Sequence, residues 1–155
     1  MIRNIELKIL DNRLVEKDCV PKYATEDSGA FDLVACIDKK LEVPPLSVSL
    51  VPTGISVNMM TAVEACVGLI FPRSGNGHKR GMVLGNSTGV IDQDYHGQIF
   101  VSVLNRNPDT YLTVEPFERI AQFVIVPIIT ADFKVVEEFS QKTQRGSGGF
   151  GSTGR

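Results

Sequence analysis

Near the start of the chain Ile5, Leu7 and Ile9 alternate with Glu6 and Lys8, the two-residue period of a strand with one buried face. Further stretches rich in β-branched and aromatic residues follow: FDLVACI, SVSLVPTGISV, EACVGLIF, GQIFVSVLN, RIAQFVIVPII and FKVVEEF. Within and between them lie PP, PTG, SGNG, NRNPDT and EPFE, whose Pro, Gly, Asn and Asp residues supply turn chemistry. No window of a dozen residues carries an apolar stripe at the helical period. MMTAVEA, residues 59–65, is the least strand-like stretch, where a short helix or a loop is expected. Many short strands joined by regular turns predict an all-β sandwich, jelly roll or barrel. There are no internal repeats and no linker before residue 140.

A length of 155 residues fits one domain with a substantial core, and 43% apolar with 22% charged residues is ordinary for a globular protein. The formal net charge of -2 argues against a broad surface for nucleic acid or membrane, so any phosphate binding is local. The N-terminal stretch lacks a signal-peptide core, and the run from Phe123 to Ile129 is too short to span a bilayer, so a cytoplasmic location is expected. Cys19, Cys36 and Cys66 form no Cys-x-x-Cys pair, which points away from a disulfide framework or zinc site. Cys36 and Cys66 sit in apolar runs and read as core residues.

Three stretches could carry chemistry. In FPRSGNGHKRG, residues 71–81, Arg73, His78, Lys79 and Arg80 crowd a glycine-rich turn with Ser74 and Gly75, a setting that suits a phosphate or a solvated basic turn. His78 alone reads as a surface residue, and two histidines in the whole chain make a histidine metal site improbable. In GNSTGVIDQDYHGQI, residues 85–99, Asp92 and Asp94 would share one face if they lay on a strand. DQDYHG resembles the start of a calcium loop, but His96 and Val103 occupy positions where ligands belong. What remains is a hairpin with a carboxylate at its turn and Tyr95 beside it, open to a structural or a functional reading. The glycine-rich RGSGGFGSTGR, residues 145–155, spaces Gly146 and Gly151 like a nucleotide-binding loop, yet Ser152 stands where the lysine belongs and no predicted strand leads in. It keeps backbone N–H groups for an anion, Arg145, and the ring of Phe150. Two glycine-rich loops, a carboxylate and two aromatics suit a nucleotide.

Five segments in order, GAFDLVA (29–35), PRSGNGHKRG (72–81), GNSTGVIDQDYHGQI (85–99), ERIAQFV (118–124) and RGSGGFGSTG (145–154), resemble the motifs of the homotrimeric dUTP diphosphatases (dUTPases), closely those of bacteria. The resemblance implies a β jelly-roll subunit, a homotrimer with three shared sites, and hydrolysis of dUTP to dUMP and pyrophosphate. That activity limits uracil in DNA and supplies dUMP for thymidylate synthesis. It implies Mg²⁺ held through the triphosphate, with no direct protein ligand and Asp32 supporting the metal's surroundings. Asp92 matches the residue that activates water, and Tyr95 the ring against deoxyribose. Asn86 and the backbone from Gly89, Val90 and Ile91 to Gln98 and Ile99 match the reader of uracil. Arg73, Ser74, Gly75 and Gln122 match phosphate contacts. Phe150 matches the ring over the base, and Arg145, Gly151, Ser152 and Thr153 the groups gripping the phosphates. Residues 1–144 are then one β domain and 145–155 its flexible lid.

Two positions depart from the family pattern. Gly29-Ala30 reverses the usual order, which would strain Ala30 if φ there were positive. Asn76 takes a place usually apolar, so packing under that loop is expected to differ. The related dCTP deaminases carry a catalytic glutamate on the strand after the third motif, and residues 95–107 contain none. A non-catalytic relative would have lost Asp92, Tyr95 or the tail, and all are present.

Overall fold

In the computed structural model, residues 4–62 and 64–149 are described. Eleven short strands carry the fold: β1 (Glu6–Ile9), β2 (Phe31–Val34), β3 (Leu41–Val43), β4 (Val48–Pro52), β5 (Ile55–Asn58), β6 (Cys66–Pro72), β7 (Met82–Leu84), β8 (Gly89–Ile91), β9 (Phe100–Asn105), β10 (Leu112–Val114) and β11 (Arg119–Pro127). They form a four-stranded sheet in the order β2-β11-β6-β8, a three-stranded sheet β4-β9-β7, and the pairs β1-β5 and β3-β10. Every pairing is antiparallel. This is the all-β, jelly-roll-like subunit that the strand pattern and the family resemblance lead one to expect.

The core lies between the sheets. Ile70 and Phe123 from the larger sheet join Val51, Val101 and Val103 from the smaller one, with Leu14, Leu33 and Met82, in one buried cluster. Alternation decides which side chains enter it. In β9, Val101, Val103 and Asn105 point inward while Phe100, Ser102 and Leu104 do not. On β11 a bulge between Arg119 and Ala121 buries both Ile120 and Ala121 before alternation resumes at Phe123. Gln122 is thereby left on the opposite face, directly across from Asp32 of β2.

Several local features escape a periodic reading. A single helical turn, α1 (Arg13–Glu16), buries Leu14, but four residues are too few to show a period. The Arg13 guanidinium holds the Asp11 carboxyl well below the usual carboxylate range and also binds Asp38 at 2.7 Å. The glycine-rich 76–80 segment winds into one π-helical turn, Asn76–Arg80, instead of an open loop. The described part of 59–65 is a turn closed by Ala62 N–H to the Met59 carbonyl, with no helix. Ala30 is not among the non-glycine residues with positive φ, so the expected strain is absent. Cys36 and Cys66 are buried free thiols, and burial, aided by Asp11, pushes the Cys36 thiol up to about 11.

The strand expected at 133–139 does not form. From Ile128 the chain runs exposed, with Ile129 at 95%, Phe133 at 94% and Val135 at 96% of full accessibility. The apolar pattern of FKVVEEF needs a sheet edge, and within one chain no edge meets it.

Gly68 marks the tightest point of the core, because a Cβ there would lie 2.2 Å from Phe123 Cζ. Phe123 is fully buried and has no room to retreat. Gly68→Ala is expected to destabilise the fold by about 2 kcal/mol, the usual scale of overpacking. Denaturant unfolding measures this, and an unchanged midpoint would contradict the packing described.

Candidate active site

One group of candidate residues gathers where β2, β6 and β11 end together. Asp32 Oδ1 accepts from Arg73 Nε at 2.8 Å, and its Oδ2 lies 3.3 Å from Arg119 Nη1. Both carboxylate oxygens therefore face guanidinium groups, which orients two cations more than it offers a metal ligand. Gln122 stands beside Asp32 in the ladder. Ser74 and Gly75 are exposed at the entry to the helical segment, next to half-buried Arg73. Basic side chains, a hydroxyl and free backbone at one sheet end form an anion-type surface.

A second group lies around the turn after β8. Val90, Ile91, Asp92, Tyr95, Gln98 and Phe100 line a shallow cavity of about 230 Å³. Asp92 and Asp94 sit in a tight turn after β8, closed by Tyr95 N–H to the Asp92 carbonyl at 3.1 Å. Both carboxylates are exposed. The turn is pinned from below. Gln93 Oε1 accepts the Cys66 N–H at 3.2 Å, Ser56 Oγ donates to the His96 carbonyl at 2.7 Å, and Gln98 Oε1 accepts the Gly54 N–H at 3.0 Å. Gly89 packs under this wall against Ile70. Ile99 is fully buried beneath the cavity, its carbonyl taken by Thr53 and its N–H by the Ile55 carbonyl. Asn86 is exposed on the turn between β7 and β8.

The two groups do not meet within one chain. Ile91 pairs with Gly68, so the next step of the register sets Asp92 beside Val67, and the two line a common groove. Arg73 follows the far end of the same strand. From Val67 to Arg73 is about 20 Å of extended backbone. Arg145 lies on the exposed C-terminal segment, where its Nε donates to the Gly148 carbonyl at 2.8 Å. Phe150, Gly151, Ser152 and Thr153 fall outside the described residues.

Four contributors were not singled out by the sequence. Phe100 reads as one more apolar strand residue, yet its ring closes the cavity. Gln93 looks like a spacer between two aspartates, and Arg119 like a strand-leading charge. Asn76 was marked only as unusual; it is buried, and its Nδ2 reaches the Arg119 carbonyl at 2.9 Å. Strand register would have exposed Arg119, but the others needed coordinates.

Among the described residues no three His, Cys, Asp or Glu side chains gather as a metal cluster, and no helix is long and apolar enough to cross a membrane.

The Tyr95 ring folds back so that its hydroxyl donates to the Gln98 carbonyl at 3.0 Å, directly over Gly97. A Cβ on Gly97 would lie 2.4 Å from that hydroxyl oxygen. Gly97→Ala is therefore expected to displace the ring. In an aromatic NMR spectrum the Tyr95 signals should move while those of Tyr23 and Tyr111 stay. An unmoved Tyr95 would contradict the contact.

A family model described as dUTPase matches residues 17–154. The deoxyuridine 5'-triphosphate nucleotidohydrolases of Citrobacter koseri and Cronobacter sakazakii are each 48% identical over 155 residues, spanning 100% of this chain and 99% of theirs. Among solved structures, the Staphylococcus bacteriophage 80alpha dUTPase with dUPNHPP superposes with a TM-score of 0.86 at 27% identity, covering 99% of this chain and 100% of that one. Motif order, fold and relatedness over the full length agree: this chain belongs to the dUTPase family.

Proposed function

We propose that the protein is a dUTP diphosphatase, hydrolysing dUTP to dUMP and pyrophosphate at sites shared between the subunits of a homotrimer. The observation that carries this reading is the exposed carboxylate of Asp92 beside Tyr95 in a ring-sized cavity, in a chain of this family.

Asp92 would accept a proton from a water molecule as that water's oxygen bonds to the α-phosphorus. The bond from phosphorus to the bridging oxygen breaks, and pyrophosphate leaves with its electron pair. Tyr95, fixed by Gln98 and Gly97, would pack on the deoxyribose and leave no room for a 2′-hydroxyl. Asn86 and the backbone of Gly89 to Ile91, with Gln98, would read the uracil edge, and Ile99 would hold that wall from beneath. Mismatched bases would leave polar groups unpaired, a penalty that can reach about 10⁴-fold. Arg73, Ser74, Gly75 and Gln122 would grip phosphates, oriented through Asp32.

Mg²⁺ would be held through the oxygens of the triphosphate, which are hard donors, with no direct protein ligand. When bound it would neutralise charge developing on the phosphates. Residues 145–155 would act as the lid, with Arg145, Gly151, Ser152 and Thr153 on the phosphates and Phe150 over the base.

Two features support the trimer. The outer face of the three-stranded sheet exposes Val48 at 55% and Leu50 at 65%, an apolar surface that another subunit would cover. The roughly 20 Å of extended strand from Val67, beside Asp92, to Arg73 also sets the phosphate-gripping cluster far from an α-phosphorus held at Asp92. Phosphate contacts from a neighbouring subunit close that gap.

With Mg²⁺ present, pyrophosphate release is expected from dUTP and very little from UTP, dTTP or dCTP. Asp92→Asn should keep binding of a non-hydrolysable dUTP analogue while kcat falls by about 10³-fold or more. Equal turnover of the four nucleotides, or normal turnover by the Asn variant, would overturn the assignment.

A further inference from the structure

Strand β6 pairs with β11 from Cys66 opposite Pro127 to Pro72 opposite Ala121. There the two strands part, since β6 turns away into the π-helical turn while β11 extends back to Arg119. No rung of the register reaches Arg119 from β6, so its carbonyl lies past the paired part of β11 on this side. The side chain of Asn76 meets it there. Its Nδ2 lies 2.9 Å from the Arg119 carbonyl and 3.4 Å from Met82 Sδ, and the residue is only 7% exposed.

This bond closes a circuit. Arg119 Nη1 reaches Asp32 Oδ2 at 3.3 Å, Asp32 Oδ1 holds Arg73 Nε at 2.8 Å, and the Arg73 carbonyl accepts the Gly77 N–H at 2.9 Å. Gly77 is the chain neighbour of Asn76. Both arginines are thus fixed at two points, once through the carboxylate they share and once through their backbones, and the Asn76 amide is the strut between those backbones.

We propose that Asn76 is a positioning residue that sets the direction of Arg73 and Arg119 toward the phosphates of the nucleotide. This rests on the reading of Arg73 as a phosphate contact. Buried and turned onto Arg119 and Met82, Asn76 acts through the two arginines. A guanidinium held on one carboxylate oxygen can still swing about that bond. Anchoring the backbone on both sides of the carboxylate restricts the swing before the anion arrives, so less ordering is left to binding.

The test is a double-mutant cycle read by calorimetric binding of a non-hydrolysable dUTP analogue. Asn76→Leu, close in volume and without a donor, is expected to weaken binding about fivefold, the scale of one buried hydrogen bond. Asn76→Ala also lacks the donor, and should do the same if the leucine variant proves unstable. In an Asp32→Asn background the Asn76 effect should vanish, because the strut then has no shared carboxylate to act on. Additive effects, or unchanged binding in folded Asn76→Leu and Asn76→Ala proteins, overturn the positioning role. Arg73→Ala separates this from the underlying reading. A silent Arg73→Ala removes Arg73 as a phosphate contact, whereas a strong loss beside additive Asn76 and Asp32 effects removes only the strut.

Discussion

The register of β6 against its two neighbours is the constraint on which the rest depends. On one side β8 pairs only along the middle of the strand, Gly68 to Ile70, which launches the Asp92 turn beside Val67. On the other side β11 pairs along the whole length, which brings Gln122, Asp32 and Arg119 to the end where Arg73 emerges. The length of one strand thus separates a carboxylate fit for activating water from a cluster fit for gripping anions. Shifting either pairing by one residue would turn the core side chains outward, so the separation is as firmly set as the core.

That firmness comes from close packing at few points. Phe123 lies against Gly68, and Gly89 against Ile70, so the sheet that carries both halves of the site has almost no freedom to slide. Side chains finish what the ladders leave open. Asn105 donates to the carbonyls of Val43, Pro44 and Thr110, Gln93 extends the start of β6, and Asn76 reaches the Arg119 carbonyl beyond the last rung of β6. Each sits where a strand ends and a loop begins. Gln93 and Asn76 thereby hold two of the loops that would meet the nucleotide, while the described residues beyond Ile128 are largely exposed.

Much of this was legible in the sequence, because alternation and turn chemistry are local. β1, β4, β6, β9 and β11 follow from their patterns, and buried Cys36 and Cys66 from their apolar neighbours. The motif around Asp92 could be singled out as a unit, with a carboxylate at its turn and Tyr95 beside it, although which other residues pin that turn required the backbone. FKVVEEF misled for an instructive reason: its pattern describes a strand whose partner the chain itself does not supply. Asn76 and Phe100 were illegible in their roles since a polar residue in a basic loop and an aromatic in a strand each have a commoner explanation. Only the endpoint of β6 and the curvature of the cavity give them another.

The central claim is that no single chain completes a site. The most direct measurement mixes two inactive variants, Asp92→Asn and Arg73→Ala, denatures them together and refolds them. If Asp92 and Arg73 of one site come from different subunits, random trimers restore intact sites and recover about a quarter of the activity of the unaltered protein. If both come from the same chain, the mixture stays as inactive as its components, and the account built on the length of β6 fails.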